Sequence, residues 1–331
     1  MRLNPDGDFS IFPKRAQLPI VAGTPDGSAW YWGGGDELGR LNLLSPKRVA
    51  KATQENVKTG HVVSLNLPLD TPGPALFGRK PFHHEIKSIG PGAFDDETAI
   101  NTHFRHFADP KSGYHYNGIL SDEILAAQDD DNDATSHSSP SRRLGIDAWA
   151  RKGIVGRGVL LDVYTWSQEN SKSYDPFTRH LITASDLVAC ASSQNVSFDI
   201  GDILLIRTGW LAKYHSLTAQ EKQSRAKMPL EQHHYAGLEA SESMKDFLHD
   251  SYFAAAATDN ANFEAWPPPS FEQSLHASML PLWGMPIGEL WDFEELSRKC
   301  TSERRWTFLL TSAPGNVPGG VGSPPNALAL F

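Results

Sequence analysis

The chain has 331 residues, 40% of them hydrophobic and 21% charged, the proportions of a folded globular protein rather than a disordered one. A formal net charge of −9 and a pI near 5.8 argue against nucleic acid as the main partner, because phosphate binding needs a basic surface. The two cysteines, Cys190 and Cys300, have no CxxC spacing and make no disulfide framework. No apolar run approaches the roughly 18 residues of a membrane span, and MRLNPDGDFS has no apolar signal core. The expectation is a cytoplasmic protein with no membrane partner, of one or two domains by length.

Residues 1–40 are rich in Gly, Pro and aromatics and read as an arm wrapping the surface. SPKRVAKATQENVKTG, Ser45 to Gly60, predicts a helix from its N-cap Ser, its Pro at the first helical position and its Gly stop. HVVSLNLPLD, His61 to Asp70, alternates and predicts a strand. Residues 71–100 mix turn residues with short apolar runs, and 128–141, acidic and then Ser-rich, read as a mobile surface loop. Helices are predicted over Gly145 to Gly153, Ala184 to Gln194, Ser241 to Ser251 and Asp292 to Glu303. Strands are predicted over Val155 to Trp166, Ile203 to Ala212, Tyr252 to Asp259 and Trp306 to Pro314. Strands and helices mix without strict βαβ order and no Pro/Gly linker divides them. The reading is therefore one α/β domain, residues 1–331, with a mixed central sheet.

The common chemical signatures are missing. No GxSxG, GxxxxGK[ST] or HExxH occurs, and WGGGDELG, Trp32 to Gly39, lacks the GxGxxG register and reads as a backbone turn. The segment LHASMLPLWGMPIGE, Leu275 to Glu289, is different. It sets one imidazole, His276, and one carboxylate, Glu289, at the two ends of an apolar stretch. A short helix from Leu275, a break at Pro281 to Gly284 and a return at Pro286 would bring the two together. Buried titratable groups are costly unless paired, so such a pair reads either as a site or as two locally satisfied side chains. His233-His234 lies in a polar, helix-like stretch and reads as solvated.

Several segments together resemble the cyclase family, which includes bacterial kynurenine formamidases and isatin hydrolases. They are WGGGDELGRLNLLSPKRVAKA, RHFADPKSGYHYNG, RKGIVGRGVLLDV, DIGDILLIRTGWL, AAATDNANFEAWP, LHASMLPLWGMPIGELWDFEEL and GNVPGGVGSPPNALAL. They span most of the chain in the right order and are nearest to the family's fungal branch. The resemblance implies a swivelling β/β/α domain, a homodimer or homotetramer, and a small-molecule substrate. For the formamidases and hydrolases it implies cleavage of a small aromatic amide by metal-activated water.

The family's metal motif, HxGTHxDxPxHF, is not kept. Aligned on His106-Phe107, it puts Asp96, Ile100 and Thr102 at the ligand positions. Isoleucine offers a metal nothing, and a threonine hydroxyl is a poor substitute for a carboxylate. The expectation is therefore no resident cofactor. A divalent zinc or manganese remains the family's alternative, with His103, His276 and Glu289 as weak candidate ligands.

By resemblance His106 is the catalytic histidine, and His276 and Glu289 line the site, where Glu289 either accepts from an imidazole N–H or acts as base. Asp259 and Glu264 are weaker candidates, since strand-end acids are often caps. Arg105 and His103 flank His106, and Arg105 suits two-point contact with a carboxylate or enolate. Trp30, Trp32 and Trp283 are candidate aromatic walls for a flat substrate. Tyr116, with Tyr114, His115 and Asn117, is a candidate rim. The functional expectation is His-based acid/base chemistry on a small aromatic or polyketide-like carbonyl compound: cyclisation, dehydration or isomerisation. The alternatives are a metal-dependent amide or lactone hydrolase and a non-catalytic binding relic.

Overall fold

Seven strands form one mixed sheet: β1 (Val62–Ser64), β2 (Ile154–Leu161), β3 (Ile203–Ile206), β4 (Ala255–Thr258), β5 (Ile287–Gly288), β6 (Thr307–Ser312) and β7 (Ala327–Leu330). Their order across the sheet is β1-β7-β6-β2-β3-β4-β5. The half containing β1, β7 and β6 is antiparallel, and β6 also pairs antiparallel with β2. From β2 through β3 and β4 to β5 every pairing is parallel. The computed structural model describes residues 2–90, 93–99, 108–126 and 143–331. The predicted loop at 128–141 lies outside them.

The central parallel strands β3 and β4 are buried on both faces and read as continuous apolar runs, as such strands must. Ile203–Ile206 is buried throughout, and Val159, Leu160 and Leu161 belong to the same core cluster. The helices Ala184–Ser193 and Glu242–Asp250 pack together and bring Leu187, Cys190, Met244 and Leu248 into that cluster. Both cysteines are buried free thiols. A two-stranded hairpin, His83–Gly90 with Ala93–Ala99, forms a separate small sheet where turns and short apolar runs were expected. Among the described residues no helix is long and apolar enough to cross a membrane.

Local capping decides the element ends. Ser45 caps Pro46–Asn56, its side chain accepting from the Arg48 N–H, as read. Two predicted strands run too far, and both stop where a helix begins. Asp162 ends β2 by capping Val163–Glu169, accepting from Thr165 N at 3.0 Å. Beyond β3, Gly209 turns into Trp210–His215 at φ 83°. The predicted His61 to Asp70 strand shrinks to three residues.

Residues 2–40 carry only 3-10 turns. They are fastened to the helix Glu242–Asp250 through Arg15, which pairs with Asp246 at 2.6 Å and Glu242 at 2.8 Å. The end of this segment meets the turn at Gly284 directly. Arg40 N donates to Gly284 O at 2.9 Å. Gly39 is held at φ 56° so close that a Cβ there would lie 2.0 Å from Gly284 O. Gly39→Ala is therefore expected to cost roughly 3 kcal/mol or more, in the class of overpacked, backbone-strained sites. Urea denaturation measures it, and a loss below about 1 kcal/mol would show that the two turns do not press on each other.

Candidate active site

The carboxyl ends of the four parallel strands all carry polar residues. Asp162 follows β2, Arg207 follows β3, Asp259 follows β4 and Glu289 follows β5. In open α/β sheets this edge is where ligands bind. Three of the four hold the edge together. Arg207 donates to Asp162 Oδ1 at 2.9 Å and grips Glu294 with two parallel bonds, Nε–Oε1 at 2.8 Å and Nη2–Oε2 at 3.0 Å. Burial works against the guanidinium's charge, but these carboxylates more than compensate and raise its pKa. Asp259 is fully buried and accepts from Thr208 N at 2.6 Å, Thr208 Oγ1 at 2.8 Å and Gly209 N at 3.0 Å. Burial pushes its carboxyl up to about 6, although these donors pull it down. It clamps the neighbouring turn, the capping role weighed for it from the sequence.

Glu289 does not join that knot. The chain from Leu275 to Glu289 makes a helix, Leu275–Met279, capped by Ser274, then a turn at Gly284 (φ 57°), then β5. The return is fixed where Ala256 N donates to Pro286 O at 3.1 Å. This path sets His276 between two carboxylates. Its Nδ1 lies 2.7 Å from Glu264 Oε2, and its Nε2 lies 3.5 Å from Glu289 Oε1. Glu289 Oε1 also accepts from Phe263 N at 2.7 Å. Burial pushes the imidazole down, but Glu264 first and Glu289 second outweigh it and hold it up at about 10.

The three side chains open into a cavity of about 250 Å³. Its aromatic walls are Phe77, Tyr116, Trp149, Tyr235, Trp266 and Phe271, and Arg79, Arg143 and Asn262 add polar groups. Tyr116, named from the sequence, is there, its hydroxyl donating to Asp36 Oδ2 at 2.7 Å. Trp30 and Trp283 are not among the described residues that line it. Trp30 stands behind Tyr116, ring centroids 6.5 Å apart, with its indole N–H on Pro281 O. Trp283 is buried in the core, edge-on to His249 at 5.2 Å. Trp32 is likewise a core side chain.

Tyr114 packs edge-on against Trp30, Asn117 ties the chain to Gly33 O and Asp36 O, and His115 meets Ser121 Oγ at 2.9 Å. His233 is a correction. It is fully buried, with Nδ1 2.6 Å from the Tyr235 hydroxyl, whereas His234 is exposed. His103, Arg105 and His106 lie outside the described residues. The aromatic walls went unread because their members are scattered from Phe77 to Phe271 with no shared spacing.

A divalent metal, which the resemblance implies, finds part of a site here. His276 Nε2 and Glu289 Oε1 are 3.5 Å apart, a gap that one ion can bridge, and Glu264 on Nδ1 is the outer carboxylate that a metal-bound histidine commonly takes. Two donors do not hold zinc, which ordinarily takes three or four. Among the described residues no group of three or more His, Cys, Asp or Glu side chains forms a metal site. The described residues alone therefore do not fit the ion.

The family model "Cyclase: Putative cyclase" matches residues 131–265. The crystal structure of a novel cyclase superposes with a TM-score of 0.73 at 26% identity, covering 92% of this chain and 99% of that one. Over residues 131–265 the chain is similar to the cyclase family, and its fold is that of the novel cyclase. Isatin hydrolase A from Ralstonia solanacearum shares the fold, with a TM-score of 0.52 at 19% identity over 86% of this chain and 95% of that one. No curated protein sequence matches. The cyclase-family match includes Asp259 and Glu264 and ends before His276 and Glu289.

Proposed function

We propose that this protein is a cyclase-family enzyme acting on a small aromatic or polyketide-like carbonyl compound, with Glu289 as the group that takes and returns the proton. The observation that carries the reading is the line Glu264–His276–Glu289, with its open end in an aromatic-walled cavity. The two flanking carboxylates favour the doubly protonated form of His276, so it serves as anchor and hydrogen-bond donor rather than as base. Glu264 fixes one edge of the ring. The other edge, together with the Phe263 N–H, fixes Glu289, whose side chain stays 30% exposed. A carboxylate placed in this way suits general-base removal of a proton from a carbon next to a carbonyl, or from an incoming water. The aromatic walls suit a flat guest.

A second reading is metal-assisted hydrolysis of an amide or lactone. It is supported by the fold shared with isatin hydrolase A from Ralstonia solanacearum.

The deciding experiment takes the purified protein, measures its zinc and manganese content, and assays aryl amides, lactones and aryl ketones before and after chelation. Turnover that survives chelation supports the acid/base reading. Stoichiometric metal with activity lost on its removal shifts the assignment to hydrolysis. Binding of these compounds with no turnover under either condition would overturn both and leave a binding protein.

A further inference from the structure

The catalytic cavity has a larger neighbour. A second chamber of about 490 Å³ shares Phe77, Arg79, Trp149, Ile287 and Glu289 with the first, which holds about 250 Å³. Glu289 thus stands at the junction of the two. The floor of the second chamber is the sheet itself, through Ile203, Ala255, Ala257 and Leu310. The pairing register places Ile203 beside Ala255 and Leu205 beside Ala257, so the two alanines sit on one face, where larger side chains would take up depth. Its roof is the proline-rich segment Leu67–Phe82.

Pockets that hold drug-sized ligands run about 300–1,000 Å³ and are mostly apolar. The first cavity is below that range and the second is within it. A single-ring substrate needs only the first.

We infer that the substrate has two parts: a carbonyl-bearing aromatic head beside His276 and Glu289, and a bulky apolar tail lying between the sheet and the proline-rich segment. This rests on the site reading above for the head and adds the tail. The tail supplies binding by burial alone, so each methylene placed in the chamber tightens binding by about fourfold, until the chamber is full. Because Glu289 lines both chambers, we place the tail on the carbonyl side of the head.

The test uses phenyl alkyl ketones of increasing chain length (acetophenone, valerophenone, heptanophenone), with binding followed by tryptophan fluorescence or calorimetry on the full chain. Affinity is expected to rise by about fourfold per added methylene. Ala255→Leu, which fills the floor, is expected to remove most of that gain, so that heptanophenone binds only about as tightly as acetophenone does. Leu67→Ala, on the partly buried roof, is expected to weaken only the long ketones, and it serves should Ala255→Leu fail to fold. Acetophenone binding with no gain on lengthening overturns the tail chamber and leaves the head site standing. No binding by any member overturns the head site as well.

Discussion

Glu289→Gln is expected to lower kcat/KM by about 100-fold to 10,000-fold, the usual contribution of a positioned acid or base, with little change in Tm. The fold should tolerate the change because an amide oxygen can still accept from Phe263 N, now bonded to Glu289 Oε1 at 2.7 Å. His276 also keeps its shorter contact, 2.7 Å to Glu264. The amide cannot take a proton at neutral pH. Glu289→Ala should add a stability loss, since it also strips the Phe263 N–H of its partner. Unchanged turnover in Glu289→Gln would remove this carboxylate from the chemistry. A fall in Tm with turnover preserved per folded molecule would make it structural only.

Glu264→Ala is expected to destabilise the protein by about 3–5 kcal/mol, the cost of removing one partner from a buried ion pair. Glu264 is only 2% exposed, and its side chain faces a ring whose charge it maintains. Glu264→Gln should cost less, since an amide oxygen still accepts from Nδ1.

The two replacements share a signature in pH. His276 is raised from its ordinary 6.5 to about 10 in the folded protein, so the native state holds a proton that the unfolded state releases between those values. Its stabilising contribution is fully present below pH 6.5 and is lost as pH rises through about 10. In either Glu264 variant the folded value should fall back toward 6.5, so the loss of stability moves to lower pH. Urea titrations at pH 6.5, 8 and 10 measure it. Parallel curves for wild type and Glu264→Gln would mean that Glu264 does not set the charge on the ring.

Much of the arrangement was written locally. Ser45 and Pro46 announce the helix Pro46–Asn56, and the apolar run Ile203–Ile206 announces a central strand. The segment from Leu275 to Glu289 was legible because a Pro- and Gly-broken apolar stretch can hardly do other than turn back, and its two polar ends then meet. Glu264 was harder to place. It reaches His276 from another segment of the chain, and only the folded structure shows that it, rather than Glu289, makes the shorter contact. The strand ends at Asp162 and Gly209 were misread because apolar residues continue past both, and capping and backbone geometry outweigh hydrophobic pattern there. The aromatic walls illustrate the same limit. Trp283 lies within the motif that drew attention and packs in the core, whereas Trp149 and Trp266 lie outside it and line the cavity. Which face an indole takes depends on long-range packing that no local spacing encodes.

The most direct single measurement is the nitrogen-15 NMR spectrum of the His276 ring in the full-length protein at pH 7.5, assigned with His276→Gln. Both ring nitrogens should carry protons, and the signals should hold steady until well above pH 8, because Glu264 and Glu289 hold the ring at about 10. A neutral ring titrating near 6.5 would contradict it and would dissolve the Glu264–His276–Glu289 line on which the proposed chemistry is built.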